Sequence, residues 1–94
     1  MNKYYVYMLR CSDNSLYCGY TDNLSKRLEA HNSGKGAKYT RSRRPVELVY
    51  FEELYSKSDA LKREYNIKTL THTQKTELIT GSEKCIFGKE HTNE

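Results

Sequence analysis

The chain has 94 residues, of which 36% are hydrophobic and 30% are charged, a composition that indicates one globular domain and excludes a disordered segment. No apolar run approaches the roughly 20 residues of a membrane-spanning helix, so we expect no membrane association. Three cysteines without a zinc-binding spacing, and an amino terminus without a secretory pattern, predict reduced thiols in a cytoplasmic protein, which we expect to be a monomer.

The positive charge is unevenly distributed along the chain. The net charge is only +4, yet no acidic residue lies between Glu29 and Glu47. The cations of that stretch are Lys35, Lys38, Arg41, Arg43 and Arg44. An uninterrupted cationic segment attracts polyanions through phosphate contacts and counterion release, so these five residues are predicted to bind nucleic acid. The alternative is a solvated loop whose charge only keeps the chain soluble.

A β-hairpin is predicted at the amino terminus. Residues 4–11 and 16–20 are rich in β-formers, and residues 12–15 have turn chemistry. If Val6 and Met8 share a buried face with Leu16 and Cys18, then Tyr7 and Tyr17 stand together on the other face. A slip of one residue in the pairing would break this match.

A helix should follow from Asn23 to about His31, ending before Gly34. Its core stripe is Leu24 and Leu28, and Asn23, Arg27 and His31 form a neighbouring column, which places Arg27 at the edge of the core.

The rest of the chain is predicted to contain a basic loop, one strand and two helices. The loop spans 34–45, the strand 46–55, and the helices 59–69 and 73–80, the second beginning at a Thr71-x-x-Gln74 capping pattern. The order β-β-α-β-α-α predicts an α/β (α+β) fold, with a small three-stranded antiparallel sheet flanked by helices. The domain is expected to span residues 1–80, followed by a polar, flexible tail over residues 81–94.

Glu64 is the most informative single residue. On a helical wheel it lies between Ala60 and Leu61, with Ile67 nearby, so its carboxylate must be paired, protonated or bound to a metal. Taken alone, an ion pair with Lys68 or with Arg27 is favoured over a metal site.

Four other residues also have purely structural interpretations when each is taken alone. Tyr7 and Tyr17 could be cross-strand packing partners, His31 a helix carboxyl-terminal charge, and Gly19 a β-bulge.

Together these residues resemble a known family. The stretches Tyr5-Val6-Tyr7 and Tyr17-Cys18-Gly19 look like the paired motif that names the GIY-YIG nucleases, although they read YVY and YCG. The following helix, with Arg27, is similar to the family's first helix, and residues 60–64 look like the helix that carries its metal ligand. Residues 34–45 are similar to a small, stand-alone, single-domain bacterial group of that family.

The resemblance implies a fold, a cofactor and roles for the site residues. Glu64 would hold one Mg²⁺ or Mn²⁺ ion, and Arg27 would grip the scissile phosphate as a planar donor fork. Tyr17 is the first choice for activating the attacking water, and Tyr7 would orient the same proton network. His31 is the alternative base, because the ordinary pKa of histidine is near neutral. Gly19 is kept as a structural element of the motif. One shallow surface is predicted to be surrounded by Tyr7, Tyr17, Arg27, His31 and Glu64.

The leading functional hypothesis is therefore a metal-dependent endonuclease that hydrolyses phosphodiester bonds in DNA, or in RNA. Two alternatives stay open at this point. One is a non-catalytic nucleic-acid-binding module with the same fold, and the other is a subunit recruited by a partner protein.

Overall fold

The computed structural model describes residues 3–91, with side-chain surroundings described up to residue 81. Its elements are β1 (Tyr4–Arg10), β2 (Leu16–Thr21), α1 (Leu24–Asn32), α2 (Lys38–Arg41), β3 (Glu47–Leu54), α3 (Lys57–Lys68) and α4 (His72–His91). The predicted element order is confirmed, and the basic loop contains one additional short helix, α2. No helix within residues 3–91 combines the length and the apolar character needed to cross a membrane.

The three strands form one antiparallel sheet in the order β2-β1-β3, so β1 lies at its centre. Tyr7 pairs with Gly19 and Met8 with Cys18, and this ladder runs without interruption from Tyr5 to Arg10. The irregularity in the sheet lies on the other side of β1, between Met8 and Leu9, where β1 pairs with β3. The interpretation of Gly19 as a β-bulge is therefore wrong.

Both faces of the sheet are buried, each beneath different helices. The first cluster contains Val6, Met8, Cys18, Ala60, Ile67 and Ile79, from the sheet, α3 and α4. The second contains Tyr7, Leu9, Cys11 and Val46, packed against Leu24 and Leu28 of α1. The predicted strand parity is confirmed, but the tyrosine face is a second core rather than an open surface. Full burial of an aliphatic side chain such as Leu9 contributes about 1.5–3 kcal/mol to folding.

Local capping determines where the helices begin and end. The Asn23 side chain accepts a hydrogen bond from the Lys26 amide at 3.1 Å, and Gly34 follows α1 with a φ of +85°. Thr71 and Gln74 cap α4 reciprocally, as predicted, through side chain–backbone hydrogen bonds of 2.9 and 3.1 Å. Each such cap contributes about 1 kcal/mol.

Two predicted helix boundaries differ from the structure by two residues or more. The cap of α3 is Ser56, so this helix begins at Lys57, two residues before the predicted start. Helix α4 continues to His91, beyond the predicted end at residue 80. The sequence did not predict this extension, because residues 81–91 lack the apolar periodicity that indicates a helix. The flexibility predicted for residues 81–94 stays a prediction, and residues 92–94 lie outside the described part of the chain.

Helix α3 is fastened to the sheet by polar contacts as well as by packing. Arg63 donates to both carboxylate oxygens of Glu52 on β3, at 2.8 and 2.7 Å, and the Tyr50 hydroxyl donates to the same carboxylate. Burial alone would raise the pKa of Glu52, but its hydrogen bonds to Arg63 and Tyr50 lower it on balance. Leu61 is 42% exposed, so the buried arc of α3 is narrower than the helical wheel suggested.

Candidate active site

Four of the residues singled out from the sequence converge in one cluster on the face of the sheet covered by α1. The Tyr7 hydroxyl lies 3.0 Å from Nε2 of His31 and 3.4 Å from Nε of Arg27. The Tyr17 ring packs against His31 with a centroid distance of 5.2 Å, and against Tyr7 at 6.5 Å. Strand parity and the helical column thus bring Tyr7, Tyr17, Arg27 and His31 together, whereas Glu64, the fifth residue predicted for this surface, belongs to α3, which packs on the other face of the sheet.

Gly19 is required because the Tyr7 phenol occupies the space above it. A Cβ at position 19 would lie 2.7 Å from the Tyr7 hydroxyl oxygen and 3.2 Å from the Tyr17 ring. No side chain fits there unless Tyr7 moves. The glycine of the motif is therefore a spacer that allows the central tyrosine to reach His31.

His31 is the buried end of the cluster and has no exposed surface. Its Nδ1 lies 2.7 Å from the Thr40 hydroxyl, and a Cβ at Gly36 would overlap the ring. Burial, assisted by the nearby charge of Arg27, lowers the pKa of His31 to about 4. A near-neutral pKa for His31 is therefore wrong, because the ring is enclosed. The sequence alone does not reveal that enclosure.

Tyr7 is also enclosed, with only 2% of its surface exposed. Burial raises the pKa of its phenol, and the hydrogen bond from Arg27 opposes that rise. At neutral pH the cluster therefore contains a protonated Tyr7 and an uncharged His31 beneath it.

Glu64 lies beside the edge strand β2 on the opposite face of the sheet. Its side chain is 16% exposed, and its carboxylate forms an ion pair with Lys68 at 3.0 Å, as one of the sequence interpretations proposed. The pKa of Cys18 is raised to about 11, chiefly by burial and then by the charge of Glu64. The pKa of Lys68 is raised mainly by its hydrogen bond to Glu64, with a smaller contribution from Tyr17. Glu64 and Tyr17 therefore flank the same short segment of β2.

A single Mg²⁺ or Mn²⁺ ion is compatible with this donor set. Among the residues whose side chains are described, no three His, Cys, Asp or Glu residues form a metal-binding group. Mg²⁺ does not need such a group, because it is commonly held by one or two carboxylates, several waters and substrate phosphates. The partly buried carboxylate of Glu64 is the type of ligand that this coordination uses.

Arg27 connects the buried cluster with the protein surface. Its Nε donates to Tyr7, and its side chain also lines an open groove of about 390 Å³. The other residues that line this groove are Tyr4, Tyr20, Thr21, Asp22 and Lys57. The guanidinium group of Arg27 can therefore contact a phosphate at the surface while it remains anchored to Tyr7.

Two of the five predicted nucleic-acid-binding cations have structural roles in the basic loop. Arg43 donates to Asp13 at 3.1 Å and to the Tyr39 carbonyl at 2.8 Å, and its guanidinium lies 3.9 Å from the centre of the Tyr39 ring. Arg44 donates to the carbonyls of Arg41 and Asn32. The other three cations, Lys35, Lys38 and Arg41, are exposed.

Tyr39 and Thr40 were assigned no role from the sequence. Tyr39 stacks on Tyr17 with a centroid distance of 6.0 Å, and Thr40 is completely buried against His31. Both residues lie within the basic stretch, where the charge pattern was the only signal. The sequence around Thr40, with Tyr39 before it and Arg41 after it, has no hydrophobic periodicity that would predict its burial.

Comparisons with known proteins show the family to which this chain belongs. Residues 3–77 match the family described as the GIY-YIG catalytic domain. The chain is 58% identical to UPF0213 protein SH2523 of Staphylococcus haemolyticus over 79 residues, which cover 84% of this chain and 96% of that protein. It is similar to the solution NMR structure of protein EF2693 from E. faecalis, with 40% identity, a TM-score of 0.60 and 88% of each chain covered. The solution NMR structure of UPF0213 protein BH0048 from Bacillus halodurans has 45% identity, a TM-score of 0.55 and 83% coverage of each chain.

Proposed function

Since the chain belongs to the GIY-YIG catalytic domain family, we propose that it is a metal-dependent endonuclease that hydrolyses phosphodiester bonds in DNA or in RNA. The observation that carries this proposal is the convergence of Tyr7, Tyr17, Arg27 and His31, from two strands and one helix, in a single hydrogen-bonded and aromatic cluster. Packing alone would not require an arginine–tyrosine–histidine chain that leads from a surface groove into the core.

In this proposal Arg27 binds the scissile phosphate and Glu64 holds one Mg²⁺ or Mn²⁺ ion. The guanidinium is planar and permanently charged, and it suits the charge that develops on phosphate oxygens during hydrolysis. When bound, the ion supplies further positive charge for the phosphate and the leaving oxygen. Glu64 must exchange Lys68 for the ion, and Lys68 has a side chain that is 51% exposed and can turn into solvent.

Proton transfer from the attacking water is assigned to a tyrosine. His31 cannot meet that water directly, because its ring is fully buried behind the Tyr7 hydroxyl. Tyr17 lies over His31 with more of its surface accessible, so it stays our first choice for activating the water. Tyr7 then orients the network from below.

A non-catalytic binding module is the second candidate, and the ion pair between Glu64 and Lys68 is the observation that favours it. In that case Lys68 would neutralise Glu64, and the exposed cations of the basic loop, Lys35, Lys38 and Arg41, would supply affinity. Recruitment by a partner protein, a monomeric state and a cytoplasmic location stay predictions.

The decisive experiment compares Glu64→Gln with the wild-type protein and with Glu77→Gln, a matched change at an exposed position of α4. Cleavage of single-stranded, duplex and branched DNA and of RNA is measured with Mg²⁺ and with Mn²⁺. We expect Glu64→Gln to lower cleavage by about 10²-fold or more, because the neutral amide is a poor ligand for the ion. Glu77→Gln should cleave at the wild-type rate.

Nucleic-acid affinity and thermal stability of the same proteins separate the two candidate functions. If Glu64 is a metal ligand, Glu64→Gln should retain affinity, because a negative charge near the phosphates has been removed. A variant that cleaves like the wild type, or that changes only in melting temperature, would show that Glu64 is a salt-bridge partner and would reject the proposed mechanism.

A further inference from the structure

Thr40 is buried, uncharged and outside the paired motif formed by residues 5–7 and 17–19, yet it contacts the centre of the site. Its side chain has no exposed surface, and its Oγ1 lies 2.7 Å from Nδ1 of His31 and 3.1 Å from the Ala37 carbonyl oxygen. A buried hydroxyl has a single proton, so it can donate to only one of these two neighbours and can accept a hydrogen bond from the other. The direction of the hydrogen bonds at His31 therefore depends on this residue.

The donors and acceptors around Tyr7 indicate which direction is present in the folded protein. Within the described residues, the Tyr7 hydroxyl has two hydrogen-bond partners, Arg27 and His31. Arginine can only donate, so the Tyr7 proton goes to Nε2 of His31, because a buried hydroxyl proton without an acceptor is unfavourable. An uncharged His31 that accepts at Nε2 carries its own proton on Nδ1.

The opposite tautomer agrees less well with the same distances. It would require Nδ1 to accept from the Ala37 amide, which lies 3.4 Å away, and from the Thr40 hydroxyl. Thr40 would then no longer donate to the Ala37 carbonyl, and the Tyr7 oxygen would receive two donors while its own proton had no acceptor. The first arrangement satisfies the side chains in one direction, from Arg27 through Tyr7, His31 and Thr40 to the Ala37 carbonyl. Its one cost is the long contact of 3.4 Å between the Ala37 amide and Nδ1, which is lost as a hydrogen bond when Nδ1 carries the proton.

We propose that Thr40 is a positioning residue that fixes His31 in its Nδ1–H tautomer and so turns the Tyr7 proton away from the substrate. The Tyr7 oxygen then presents its lone pairs to Arg27 and cannot donate a proton toward the bound phosphate, so it holds the guanidinium in place for the substrate. The catalytic part of this inference rests on the proposed nuclease function, whereas the tautomer does not.

Nitrogen-15 NMR of the histidine rings tests the tautomer in the intact protein without any substrate. The wild-type spectrum at neutral pH should show His31 with a protonated Nδ1 and an unprotonated Nε2. Thr40→Ser keeps the hydroxyl and should show the same pattern, whereas Thr40→Val keeps the shape and should lose it. A protonated Nε2 in the wild-type protein, or an unchanged pattern in Thr40→Val, would overturn the proposal.

Cleavage kinetics of the same variants test the consequence for catalysis. Thr40→Val should lower kcat by about tenfold or more with little change in KM, the effect of losing one hydrogen bond made in the transition state, and Thr40→Ser should restore most of the rate. A Thr40→Val protein with the altered tautomer and wild-type kcat would overturn the positioning role. If the wild-type protein does not cleave, the nuclease proposal fails, while the NMR result still decides the tautomer.

Discussion

Acidification should destabilise this protein well above the pH at which its carboxylates protonate, and His31 is the cause. The pKa of His31 is about 4 in the folded chain, against an ordinary value of 6.5. Between these values the unfolded chain binds a proton that the folded chain does not, so stability falls as the pH falls. At about 1.36 kcal/mol per pKa unit, the decrease is about 2 kcal/mol between roughly pH 7 and pH 5.

The measurement is urea denaturation of the wild-type protein, His31→Gln and His72→Gln at several pH values in that range. Since small domains are stable by about 5–15 kcal/mol, a change of this size is readily detected. His31→Gln should start from a lower stability at neutral pH but lose much less on acidification. His72 is exposed at the start of α4, so His72→Gln should follow the wild-type curve.

Parallel pH profiles for the wild type and His31→Gln would refute the reasoning, because they would mean that His31 titrates equally in the folded and unfolded chains. An NMR titration of His31 with a midpoint near the ordinary histidine value would refute it independently.

Two further predictions concern the spacer glycine and the basic loop. Gly19→Ala should destabilise the protein by about 1–3 kcal/mol in urea denaturation, because its Cβ would lie 2.7 Å from the Tyr7 hydroxyl. The control is Gly81→Ala, whose Cβ would meet no atom within 4 Å and which should be neutral or stabilising. Equal effects of the two substitutions would contradict the spacer role of Gly19. Replacing exposed cations of the basic loop by alanine should reduce the slope of log affinity for duplex DNA against log salt concentration by about 0.9 for each phosphate contact that is lost. Lys62→Ala, an exposed position on α3, is the control. An unchanged slope in the loop variants would exclude the loop from binding. The residues to replace are Lys35, Lys38 and Arg41.

The parts of the fold that the sequence predicted are those decided by short-range rules. Alternation along β1 and β2 placed Tyr7 beside Tyr17, and spacing along α1 placed Arg27 beside His31. Side-chain caps such as Thr71 with Gln74 were visible because both partners lie within one turn. These signals require no knowledge of what packs above them.

The parts that escaped prediction depend on contacts between distant segments. Arg43 was predicted to bind nucleic acid, whereas in the structure it pairs with Asp13 in the hairpin turn. The sequence does not reveal this partner, because it lies 30 residues away along the chain. Helix α2 has only four residues and no apolar stripe, so neither it nor the burial of Thr40 could be read from periodicity. The low pKa of His31 arises only once α1 and this segment enclose the ring.

The position of β2 at the edge of the sheet has a consequence for assembly. The structure describes one neighbour for this strand, β1, so its outer backbone groups are available to pair with a strand from another molecule. Such augmentation would lie between Tyr17 on one face and the Glu64-bearing helix on the other, where the proposed mechanism has the nucleic acid approach. Pairing along the outer edge of β3 would leave that approach open. Any complex that is compatible with activity should therefore form through β3, and a partner strand on β2 would act as an inhibitor.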